Sequence, residues 1–216
     1  MKELFDQWSE DIVEWNLVAR DYDESDYDHD LQRDLCKEEF KEAFEAYESG
    51  DEEEFISEVC DLFVVMSYYY NREFGHCPSY TTYLKTYEDY GVQYVRDIKG
   101  LLNTAHGMFE IGRFSPYRYV RQILAQYEKA ESIMTAKLLS NWSKLPTTAL
   151  FRSEVGYTHL RNDLEKECLA IEERSNGRYS GVTYQLVAGK EPRLVFQANT
   201  GKIVKPCTYH DWREYL

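Results

Sequence analysis

Apolar positions recur along most of this chain at the three- and four-residue spacing of helices that bury one face. Leu4, Phe5, Trp8, Ile12, Trp15 and Val18 predict a first helix over residues 3–20. Leu35, Phe40, Ala43, Phe44 and Tyr47 predict a second over 31–48, and Val59, Leu62, Phe63, Met66 and Tyr70 a third from about Glu52 to Glu73. Between the last two, Ser49-Gly50-Asp51 reads as a turn. Gly50 suits the left-handed position just past a helix end, and Asp51 with Glu54 suits a capping box. So short a connection makes the two helices antiparallel neighbours, and the first helix is expected to pack against this hairpin.

Residues 79–142 read as mainly helical, with breaks near Gly91, Gly107 to Gly112 and Ser115-Pro116. Ser115 suits an N-cap with Pro116 at the first helical position. From Pro116 one helix is expected to run to about Asn141, on a stripe of Tyr119, Val120, Ile123, Leu124, Tyr127, Ala130, Ile133 and Leu138. Segment 79–113 reads either as an insertion or as an oligomer interface. A further helix is expected over 153–175. The period then changes to two: Val182, Tyr184 and Leu186 alternate, and Leu194 and Phe196 follow Pro192, which predicts a β-hairpin. Asn199-Thr200-Gly201 turns into Lys202-Ile203-Val204-Lys205-Pro206. The pattern predicts a mainly α fold with a small C-terminal β element, divided into a helical core over 1–150 and a C-terminal helix, hairpin and tail over 151–216.

A hydrophobic content of 43% in 216 residues supports one substantial core. The net charge of −14 argues against a nucleic-acid polymer as partner, because phosphate contacts need a basic surface. A single nucleotide stays open, since metal and a few local cations can meet its phosphates. Five scattered cysteines, none in a CxxC pair, read as free thiols in a reducing cytoplasm. No signal peptide and no membrane-spanning apolar run are recognised.

The acidic stretch Asp21 to Asp30 fails as an EF-hand. Counted from Asp21, the sixth residue is Asp26 instead of glycine and the twelfth is Gln32 instead of glutamate. It reads as a solvated linker. Zinc has no support: His76-Cys77 is the one adjacent histidine and cysteine, and a tetrahedral site needs more ligands with better spacing. His29, His76, His106, His159 and His210 stand apart and read as surface or packing residues. Arg174 and Arg178 have the charge to meet phosphate, with no spacing argument for either.

The predicted hairpin carries two acidic pairs, Glu39 with Glu42 and Glu58 with Asp61, each three residues apart and so on one helix face. Four carboxylates on antiparallel neighbours can converge. Crowded carboxylates repel or take up protons, and a hard divalent cation resolves that conflict through oxygen ligands. The plain alternative is a solvated acidic face.

Glu38-Glu39-x-x-Glu42 followed by Glu58-x-x-Asp61-Leu62 resembles the signature of the MazG-like all-α nucleoside triphosphate pyrophosphohydrolases. Ser140-Asn141-Trp142-Ser143-Lys144 is similar to the Ser-Asn-Met-Ser-Lys segment of the phage-type members. Gly201-Lys202-Ile203-Val204-Lys205-Pro206, followed by Tyr209, is similar to their C-terminal tail. The departures are Trp142 in place of methionine and the long middle segment.

The resemblance implies an all-α NTP pyrophosphohydrolase-like helical bundle, assembled as a homodimer or homotetramer. It implies Mg²⁺, with Mn²⁺ as a substitute, held by Glu39, Glu42, Glu58 and Asp61. The implied reaction is hydrolysis of a (deoxy)nucleoside triphosphate to the monophosphate and pyrophosphate. Glu38 is a candidate base or supporting group. Asn141, Lys144, Lys202, Lys205 and Tyr209 are implied to contact the nucleotide, the lysines offsetting phosphate charge. The location implied is cytoplasmic, the host cytoplasm if the chain is of phage origin. Plain alternatives stand beside these roles: Asn141 and Lys144 suit any helix C-terminus, and Lys202 and Lys205 suit a guarded strand edge. Two other functional readings stay open, a non-catalytic nucleotide-sensing or dimerisation module and a phosphoribosyl-ATP pyrophosphohydrolase-like enzyme.

Overall fold

The computed structural model describes residues 2–20, 23, 27–75, 97–113, 116–156, 159–189 and 191–216. Among them are eight helices, α1 (Lys2–Ala19), α2 (His29–Ser49), α3 (Glu52–Phe74), α4 (Ile98–Glu110), α5 (Pro116–Leu124), α6 (Ala130–Ser143), α7 (Thr148–Val155) and α8 (Leu160–Arg174). Strands β1 (Thr183–Val187) and β2 (Arg193–Gln197) follow, then a short 3₁₀ turn, Trp212–Tyr215. The fold is mainly α with a small C-terminal β element, as the periodicity predicts.

The chain divides into two compact units. The first comprises Met1–Glu14 and Asp26–Thr135, the second Trp15–Ser25 and Ala136–Leu216. The expected boundary near residue 150 therefore falls inside the second unit.

In the first unit, α2 and α3 form the predicted hairpin. Gly50 takes the left-handed conformation, φ +78°, which spares the turn the clash a Cβ would bring. The Asp51 side chain then accepts from the Glu54 N–H at 3.0 Å and opens α3. Cys36, Phe40, Ala43 and Ala46 bury one face of α2, and the two alanines let the neighbouring helix approach closely. From α1, Phe5 and Trp8 set their rings against Phe63 of α3. Helix α4 belongs to this core: Leu101, Leu102, Ala105 and Phe109 are buried, and Phe109 meets Phe40. His106 packs between Phe40 and Phe44, a packing histidine as its isolation in the sequence suggests. The remainder of segment 79–113, and the Ser115 cap, lie outside the described residues.

Two expected helices are each two. The run from Pro116 breaks at residues 125–129, where Gln126 and Tyr127 close tight turns onto the Ile123 and Leu124 carbonyls. No glycine or proline marks this break. Tertiary contacts favour it: the Tyr127 ring meets Phe55 at 5.9 Å, and Lys129 reaches Glu53. The run over 153–175 is likewise α7 and α8, and α7 ends at Gly156, whose φ of +88° and ψ of 167° a side chain would oppose.

In the second unit, β1 and β2 pair antiparallel with Tyr184 opposite Phe196. Gly201 turns the chain so that Ile203 bridges to Gln197 and the Val204 N–H reaches the Phe196 carbonyl. Phe151, Leu164, Ile171, Leu194, Phe196 and Val204 form one cluster beneath the sheet. Val18, Ala19, Leu145, Val187 and Val195 form another, with Trp15, Trp142 and Ile203 packed on its rim.

Candidate metal centre

Helix geometry explains which carboxylates can meet. At about 1.5 Å per residue, Glu39 lies about 15 Å along α2 from the Gly50 turn. Glu58 and Asp61 lie about 9 and 14 Å along α3 from it, so Asp61 stands nearly level with Glu39 and Glu58 about one turn nearer the joint. Ligand oxygens of Glu39, Glu58 and Asp61 all come within 4.8 Å of one another, and all three residues are half-buried. Among the described residues this is the one group of three such side chains placed to share an ion.

Glu42 and Glu38 stand elsewhere. Both are exposed, and neither belongs to the group. At about 100° per residue, Glu39 sits about 40° from the centre of the buried face set by Gln32, Cys36, Phe40, Ala43 and Ala46, and Glu42 about 100°. Glu38 points to the opposite side. The i,i+3 spacing puts Glu39 and Glu42 on one face, but that face straddles the boundary between hairpin interior and solvent.

The donor set suits a hard cation. Oxygens bound to one octahedral Mg²⁺ lie about 2.1 Å from it, hence about 3 Å apart when adjacent and about 4 Å when opposite. Three carboxylates within 4.8 Å need only small side-chain rotations to reach that geometry. Mn²⁺ accepts the same oxygen set. The nearby Cys36 is no competing soft ligand, since burial first, and the Glu39 charge second, push its thiol pKa well up.

The residues expected at the nucleotide gather in the second unit. Lys144 Nζ donates to the Asn141 side-chain oxygen at 2.7 Å and lies 5.9 Å from the Tyr209 ring centre. Lys205 Nζ lies 4.1 Å from the same ring. The Tyr209 hydroxyl donates to Asp211 at 3.4 Å. Lys202 is exposed, on the turn that leads into the Ile203 bridge. Trp142, which departs from the methionine of the resemblance, lies under the Arg193 guanidinium at 4.5 Å, and Arg193 also donates to the Leu145 carbonyl.

Trp15 joins this group without having been singled out by the sequence. Its indole N–H donates to the Asn141 backbone carbonyl at 2.8 Å, and its ring lies 5.9 Å from Lys144 Nζ. The periodicity assigns Trp15 to the apolar stripe of α1, and a partner 126 positions away leaves no local signal.

No family model, no curated protein and no solved structure matches this chain. No described helix is long and apolar enough to cross a membrane.

Proposed function

We propose that this chain is a Mg²⁺-dependent nucleoside triphosphate pyrophosphohydrolase. The observation that carries the reading is the approach of Glu39, Glu58 and Asp61 within 4.8 Å, on the two helices whose sequences carry the acidic motif. Glu39, Glu58 and Asp61 would hold the ion, and Mn²⁺ would substitute. When bound, Mg²⁺ supplies positive charge against the polyphosphate oxygens.

The carboxylates by themselves suit a metal and a phosphate; the bond cleaved is the one that the sequence resemblance implies. A water oxygen forms a bond to the α-phosphorus, the bond from the α-phosphorus to the α,β-bridging oxygen breaks, and pyrophosphate leaves with the electron pair. Water must shed a proton, and a carboxylate oxygen of the triad not engaged in ligation accepts it. Half-burial keeps the triad accessible to substrate while strengthening its charge interactions relative to bulk water. In the same proposal, Asn141, Lys144, Lys205 and Tyr209 bind nucleotide, with Lys202 a further phosphate contact. The assembly proposed is a homodimer or homotetramer.

The test is incubation with Mg²⁺ and each ribo- and deoxynucleoside triphosphate, dUTP included, with chromatographic detection of monophosphate and pyrophosphate. Release of both in equal amounts from at least one substrate, and its loss on chelation, is expected. Nucleotide binding without any release would replace the enzyme by a nucleotide-sensing module. Light scattering after size exclusion reads the assembly.

A further inference from the structure

We propose that Trp15 is a positioning residue for nucleotide binding, acting through Asn141 and Lys144; this rests on the nucleotide-contact role given above to those two residues. Asn141 lies in the last turn of α6, where backbone carbonyls lack helical partners. Its carbonyl accepts two donors, the Lys144 N–H at 3.1 Å and the Trp15 indole at 2.8 Å. The first bond fixes the backbone of Lys144. The second anchors that turn to α1.

The side chains repeat the arrangement. Lys144 Nζ donates to the Asn141 side-chain oxygen and lies 5.9 Å from both the Trp15 and the Tyr209 ring centres. Aromatic faces hold an ammonium in place while keeping its charge. With Lys205 at 4.1 Å from the same tyrosine, two ammonium groups converge on one ring. Trp15 is itself immobilised, because it packs on the rim of the Val18, Ala19, Leu145, Val187 and Val195 cluster. It therefore gives the lysine a fixed reference in the fold and touches no substrate atom in this role.

The variant Trp15→Phe removes the N–H and keeps a ring on the cluster. Affinity of the full chain for a non-hydrolysable α,β-methylene nucleoside triphosphate is measured by calorimetry with Ca²⁺ present. A loss of about fivefold is expected from one hydrogen bond worth about 1 kcal/mol. Lys144→Met is expected to lose at least as much. Val18→Ala, in the same cluster, is expected to lower the thermal midpoint and leave affinity unchanged, which separates positioning from bulk stability. In turnover, the Trp15→Phe loss is expected in KM with kcat held, the mark of uniform binding. Unchanged affinity in Trp15→Phe, or an equal loss in Val18→Ala, overturns the inference, as does failure of the native chain to bind any nucleotide. A native chain that binds and shows the Trp15 effect but releases no pyrophosphate leaves the inference standing and removes the enzymatic reading.

Discussion

Arg174 donates to the Glu167 side chain at 2.6 Å, and the same carboxylate oxygen accepts the Cys207 backbone N–H at 2.8 Å. One buried acid thus fastens the C-terminal tail to α8. Five residues on, Glu172 accepts the Val182 N–H at 2.7 Å and fastens the entry to the hairpin. Tail and hairpin both depend on carboxylates of one helix.

Glu167→Gln should lower the unfolding free energy by about 2 kcal/mol in urea titration. The figure stays modest because Arg174 is half-exposed and partly screened. The same substitution should speed alkylation of Cys207 at pH 8. Desolvation, then the Glu167 charge, then the hydrogen bond to Glu167 push that thiol from 9.0 up to about 11, and the thiolate is the reactive form. Alkylation no faster than in the native chain would separate Cys207 from Glu167 electrostatically.

Alkaline pH should destabilise the fold in a defined window. Cys168 and Cys207 both rise from 9.0 to about 11, burial leading in each case. Unfolding releases the thiols to ionise near their ordinary value while the folded state still holds both protons. The unfolded chain therefore binds fewer protons between pH 9 and 11, and stability falls as pH rises through that interval. Thermal midpoints measured from pH 8 to 11 should show the decline, and Cys207→Ser should lessen it.

Added Mg²⁺ or Mn²⁺ should raise the thermal midpoint, since an ion bound by the folded hairpin alone stabilises by mass action. Millimolar ion at about 100 times its dissociation constant corresponds to about 2.7 kcal/mol. Glu58→Gln and Asp61→Asn should erase this gain and cut turnover at least about 100-fold. A midpoint that rises as much in Glu58→Gln as in the native chain would place the ion elsewhere.

Glu42→Gln and Glu38→Gln should change turnover by less than about threefold, as expected of exposed side chains outside the clustered group of three. Steady-state kinetics on the pair checks this. A collapse in either would mean that the catalytic set reaches beyond the three clustered carboxylates.

Tyr117→Phe should cost about 1–2 kcal/mol, read by denaturant unfolding. Its hydroxyl joins Ser9 of α1 to Ser67 of α3 inside the first unit. Arg121 stacks 4.7 Å from the Tyr117 ring and donates to Asp6 at 3.0 Å. Arg121→Ala should cost more than Arg121→Met, because the longer side chain keeps the aromatic packing.

The helices were legible where period and caps agreed, as at Gly50-Asp51. The break at 125–129 was not, because Tyr127 obeys the helical period and its contact with Phe55 is tertiary. The acidic motif named Glu39, Glu58 and Asp61 correctly as neighbours. Spacing within α2 alone could not tell that Glu42 falls on the wet side, since that depends on which flank of the helix meets α3. The Asn141–Lys144 contact follows from i,i+3 spacing, whereas Trp15 reaches Asn141 through a fold that local pattern does not encode.

The joint between α2 and α3 is only Gly50 and Asp51 long, and both are committed to caps. The hairpin therefore has no slack with which to absorb a change of length. One residue inserted between Glu39 and Ser49 would turn Glu39 by about 100° and lift it by about 1.5 Å, dialling the acid out of alignment even as the helix itself stayed intact. The spacing from Glu39 to Asp61 works like the phase of a gear train, where a missing or extra tooth silences the output without breaking a wheel.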